Sequence, residues 1–132
     1  TDRLVQCDPP TAEEIAACRH AADVALAELA LPSGPIDRLI AVGGTGEYFV
    51  RLIPAGRPAT IADLDTVLQR LTTLAAATLA ELVAIPEARA RVLPAGVAIV
   101  RALAERTQPR AVEGARSGIR TGLLLAAFAG EL

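Results

Sequence analysis

Apolar residues recur at helical spacing over two long stretches. In the first, Ile15, Cys18, Ala22, Leu26 and Leu29 share one face while Glu13, His20, Asp23 and Glu28 lie elsewhere, which predicts an amphipathic helix covering a sheet. Thr11 and Glu14 form a capping box at its start, and Pro9-Pro10 keeps the chain extended before it. In the second, Ile61, Leu64, Leu68, Leu71, Ala75, Thr78 and Leu82 predict one helix of about six turns, ending at Val83 or Ala84 and capped by Thr60 with Asp63. Between these helices, residues 36–42 read as a buried strand that runs into the glycine turn Gly43, Gly44, Thr45, Gly46. A short helix over 47–53 and a loop over 54–58 follow.

Beyond the long helix, Pro86 opens a brief helical turn to Arg89, and residues 91–93 read as a strand ending at Pro94-Ala95-Gly96. A helix over 97–105, a strand over 110–113, a turn over 114–118 and a last helix from Ile119 complete the order. Strands alternating with helices call for a parallel sheet with crossover connections. With about three strands, such a sheet keeps an edge open or covered by a partner.

Composition narrows the class. The 132 residues suit one domain, residues 1–132, and are 52% hydrophobic with aromatics only at Tyr48, Phe49 and Phe128. That is more apolar surface than a monomer of this size easily hides, so a packed partner is expected. A formal charge of −2 gives no steering towards nucleic acid, and no 18-residue apolar run offers a membrane span. Cys7 and Cys18 lack metal-ligand spacing and read as ordinary thiols, so the expectation is a soluble, cytoplasmic chain without a signal peptide. The chain has no Met and opens on Thr1, which fits either initiator removal or truncation.

Few residues invite chemistry. His20 stands alone on a polar helix face, and Asp63 and Asp65 fall in a first helical turn, where acids favour the helix dipole. The glycine turn is the exception, because consecutive glycines let backbone N–H groups approach an anion closely. The Lys-Ser/Thr pair of a P-loop does not follow it, and Phe49 stands where a dinucleotide fingerprint needs glycine. A plain strand-to-helix turn would share the same pattern.

Four segments taken together resemble a known family. Residues 8–14, residues 39–45 with Gly43, Gly44 and Thr45, residues 92–96, and residues 118–124 with Arg120-Thr121-Gly122 resemble the exopolyphosphatase and guanosine pentaphosphate phosphatase family (Ppx/GppA) in order and spacing. The resemblance implies a helix-rich α/β fold, part of a ribonuclease-H-like half of the actin and Hsp70 ATPase type, with this chain the later part of the second half. It implies hydrolysis of phosphoanhydrides, in polyphosphate or a phosphorylated nucleotide, with magnesium. On that basis Gly43, Gly44 and Thr45 are expected to hold phosphate through backbone N–H groups and the Thr45 hydroxyl. No catalytic residue is assigned and no metal-ligand set is seen, because the family's earlier glycine loops and catalytic glutamate have no counterpart here. Glu47 follows the glycines where the family has small residues, and Thr121 replaces the acid of its Arg-Glu-Gly. The expected partners are a homo-oligomer or a missing N-terminal domain. Two other functions fit the residues: a non-enzymatic interaction or dimerisation module, and a nucleotide-binding sensor.

Overall fold

Helix α5 (Glu87–Thr107) is the axis around which a computed structural model arranges the chain; it describes residues 3–32, 34–54, 57–115 and 117–130. Ala90, Leu93, Ala95, Val97, Ala98, Ala102 and Ala104 on α5 are all buried. Against it pack α1 (Ala12–Ala27), α2 (Gly43–Phe49), α3 (Ile61–Leu71) and α4 (Ala76–Val83). The expected strand over 91–93 is therefore a turn of helix. Pro94 lies inside α5, where the missing N–H costs about 3 kcal/mol, and buried apolar contacts on both sides of it offset that cost.

Among the described residues the sheet has two strands where about three were expected, and the loss is that misread segment. β1 (Arg38–Val42) and β2 (Ala111–Ala115) pair in parallel, with Arg38 opposite Ala111 and Val42 opposite Ala115. Leu39, Ala41 and Val112 face the helices, while Ile40 and Val42 lie on the open face. Ala59 exchanges two backbone hydrogen bonds with Val112, of 3.0 and 2.7 Å, and so covers the outer edge of β2. The outer edge of β1 has no strand partner among the described residues.

The predicted six-turn helix is two helices. The Thr72 and Thr73 hydroxyls donate back to the Gln69 and Arg70 carbonyls at 2.7 and 2.8 Å, ending α3. Asp8, distant in sequence, then accepts the Ala76 N–H at 2.7 Å and caps α4 from outside. Both predicted capping boxes are present, at Thr11 with Glu14 and at Thr60 with Asp63. The principal packing partner of α1 is α5, not the sheet it was expected to cover, with Ile15, Cys18 and Ala22 buried between them. Arg101 reinforces this core from outside, donating to Asp65 at 2.7 Å and to Glu105 at 3.0 Å, and Glu105 also accepts from Arg19 of α1. α6 (Ile119–Ala129) has no extensive packing against the other elements among the described residues, and Ile119, Leu123, Leu124, Leu125 and Phe128 are exposed on it.

Candidate functional site

Both parallel strands end at one place. Gly43 follows β1 directly and begins α2 at φ +78°, a left-handed angle that glycine adopts without the cost borne by other residues. The helix therefore starts in the glycines, four residues earlier than the sequence pattern suggested, and Val42 at its N-cap supplies no side-chain cap. Close approach holds α2 down: a Cβ at Gly46 would strike the Ala41 carbonyl, and one at Gly114 would strike the carbonyl of Gly46. Gly118, which caps α6 without a side chain, lies against Gly43, with its Cβ position 3.9 Å from the Gly43 nitrogen. Two helix starts without a side-chain cap thus converge beyond the carboxyl ends of the strands.

A cavity of about 590 Å³ opens there, lined by Gly43, Gly44, Glu47, Tyr48 and Arg89 together with the first turn of α6. Arg89 reaches it from α5 and Arg120 from α6, and neither is in an ion pair among the described residues. Glu47 brings a negative charge to the same wall, but its Oε1 accepts from Arg51 Nη2 at 2.8 Å. Arg51 is itself fixed, donating to the Val83 carbonyl at 2.8 Å and lying 5.0 Å from the Tyr48 ring centre. The repulsion that Glu47 alone would exert on an anion is therefore offset inside the wall, and among the described lining residues the balance of charge is positive.

The model of the Ppx/GppA phosphatase family matches residues 1–129. The chain belongs to that family. Among solved structures, a crystal structure of the Aquifex aeolicus family member matches with a TM-score of 0.77 at 20% identity, over 99% of this chain and 45% of that one. A second structure of the Aquifex aeolicus enzyme matches at 0.74 and 19% identity, over 96% and 45%. No curated protein matches. The fold class is thus that of the Ppx/GppA structures, a helix-rich actin-like α/β fold, and the chain spans about 45% of the length of the solved structures it resembles.

Of the residues expected to hold phosphate in this family member, Gly43 and Gly44 line the cavity. Thr45 does not: its side chain packs against Gly96 of α5, where a Cβ would meet the hydroxyl. Arg89 and Tyr48 were missed, Arg89 because its segment read as a passing turn before a strand. Of the other arginines, Arg57 is turned away to Asp63 at 2.7 Å, and Arg116 lies outside the described residues. His20 is exposed on α1. Asp63 serves Arg57 and Thr60, whose hydrogen bonds, that of Arg57 foremost, hold its carboxyl well below the usual carboxylate range, while Asp65 serves Arg101.

Magnesium does not fit the residues present. No three His, Cys, Asp or Glu side chains come together among the described residues. Among the described residues, the one carboxylate on the cavity wall is engaged by a guanidinium. What the arrangement can do is bind and neutralise an anion with backbone N–H groups and two arginines.

Proposed function

We propose that this chain supplies one wall of the phosphate cleft of an exopolyphosphatase-like phosphoanhydride hydrolase, acting on polyphosphate or guanosine pentaphosphate. It forms the later part of the second half of the family fold. The observation that carries this reading is the convergence of Gly43, Gly44, Arg89 and Arg120 on one cavity at the strand ends. Positioning and charge stabilisation are most of phosphoryl-transfer catalysis, but an attacking water and a metal still need ligands. Those come from outside the chain, which alone binds phosphate without releasing it. Magnesium enters as a partner of the substrate phosphates, with no ligand assigned here.

A second copy or a missing N-terminal domain completes the cleft. The exposed α6 and the unpaired edge of β1 support that part of the proposal, and they would serve equally in a pure interaction module. A cytoplasmic setting is supported by two unpaired thiols, Cys18 pushed up by burial and Cys7 pushed up by the Glu14 charge.

The test is incubation with magnesium and long-chain polyphosphate, following binding and released phosphate together. Binding without release is expected, weakened about tenfold or more by Gly44→Val, whose branched side chain grows towards Tyr48. Phosphate release by the wild-type chain that Gly44→Val abolishes would mean that the active site is complete here. Neither binding nor release would favour the interaction module.

A further inference from the structure

Arg51 stands behind the cavity wall and not in it. It belongs to the single turn Val50–Leu52 that continues α2, yet its guanidinium ties that turn to α4 and to the wall. Nη1 donates to the Val83 carbonyl at 2.8 Å, in the last turn of α4, with the Ala84 carbonyl 3.5 Å away. Nη2 donates to Glu47 Oε1 at 2.8 Å, and the guanidinium carbon lies 5.0 Å from the Tyr48 ring centre. An i,i+4 pair partly open to water is weak by itself and leaves both side chains free to turn. Here the other arm of the guanidinium is anchored on α4, so its plane is fixed and the carboxylate is fixed with it.

The contents of the cavity decide what that anchoring prevents. Glu47 shares the wall with Arg89 and Arg120, neither of which is in an ion pair among the described residues. A carboxylate released from Arg51 would meet these two guanidiniums, and a charge-assisted pair with either is the strongest contact open to it. Such a pair would withdraw a guanidinium from an incoming anion and set a negative charge where the anion must sit. Arg51 also holds the junction from which Arg89 is launched: Ala84, at φ 54°, ends α4, and Arg89 follows in the first turn of α5. Resting on the phosphate-cleft reading above, we infer that Arg51 is a positioning residue of this cleft. It acts through Glu47, keeping that carboxylate in the wall and leaving Arg89 and Arg120 free for the phosphates of a ligand.

The test is calorimetric titration of the full chain with tripolyphosphate, without metal, in wild type, Arg51→Ala, Glu47→Gln and the double variant. Arg51→Ala is expected to weaken binding about tenfold, and Glu47→Gln in that background to restore it to within about threefold of wild type. With Arg51 present, the same Glu47→Gln should tighten binding far less, because the carboxylate is already held off the arginines. Arg51→Lys keeps the charge but cannot hold carbonyl and carboxylate in one planar fork, so its affinity should fall between wild type and Arg51→Ala. Circular dichroism melts show whether each variant is folded at the titration temperature; where Arg51→Ala is not, Arg51→Lys with and without Glu47→Gln replaces it. An arginine that merely caps α4 would lower the melting temperature without coupling to Glu47. Additive effects of the two substitutions, or wild-type affinity in Arg51→Ala, would therefore overturn the positioning role while leaving the cleft standing. Failure of the wild type to bind would remove the cleft and the role together.

Discussion

Gly43 and Glu14 show how single residues set conditions here that no neighbour can replace. At φ +78°, Gly43 converts strand to helix without an intervening loop, and so aims the start of α2 at the cavity. Glu14 closes its capping box and also gathers the entry segment: its oxygens accept from the N–H groups of Thr11 at 2.8 Å, Gln6 at 2.7 Å and Cys7 at 2.9 Å. These bonds, that of Thr11 foremost, lower its carboxyl from 4.5 to about 2. A carboxyl lowered on folding stabilises the protein above its unfolded value and loses that contribution as pH falls through the folded one. Melting temperature should therefore drop between about pH 4.5 and about pH 2, and Glu14→Gln, which cannot titrate, should flatten that part of the profile in circular dichroism melts. The Thr11 and Glu14 pair is legible in the sequence because capping is a local matter. The bonds from Gln6 and Cys7 are not, since they depend on how the extended segment folds back.

Among the elements, local and tertiary forces compete most visibly along α5. Pro94-Ala95-Gly96 carries turn chemistry, and a pattern limited to its neighbourhood breaks the helix there. Burial of Leu93, Ala95 and Val97 keeps it continuous, and Thr45 packs where Gly96 leaves room. The opposite error occurs at residues 72–75, where apolar spacing runs on but hydroxyl back-bonds and the Asp8 cap divide the helix. The seating of α2 on the sheet depends on Gly46 and Gly114, neither of which has space for a side chain. Gly46→Ala should cost about 1–3 kcal/mol, because the new methyl must displace either β1 or the helix, and chemical denaturation would measure it. A variant as stable as the wild type would mean that α2 does not sit so close.

For the molecule as a whole, the distribution of apolar surface is the deciding feature. Phe128 is 88% exposed, with Leu124 and Leu125 beside it, and Ile40 and Val42 stand out from the open face of the sheet. Monomers seldom leave such residues grouped. Sedimentation velocity should show self-association that grows with concentration, and replacing Leu124 and Phe128 together by Glu should reduce it. A single slow species at all concentrations would count against assembly through α6. Among the described residues no helix is both long and apolar enough to cross a membrane.

The sequence by itself determined the two capping boxes, both strands of the sheet and the place where the first strand ends in glycines, because caps, alternation and glycine geometry act within a few residues. It also carried the family resemblance, through four short segments in order. Only the tertiary structure decided that α5 runs through its proline, that Thr45 turns inward, and that Arg89, Arg120 and Glu47 meet at Gly43. Helix continuity across Pro94 is settled by burial against four other helices, and the site by the crossing of segments far apart in the chain. Neither quantity is written in any local stretch of residues, since both arise only when distant parts of the chain exclude water together.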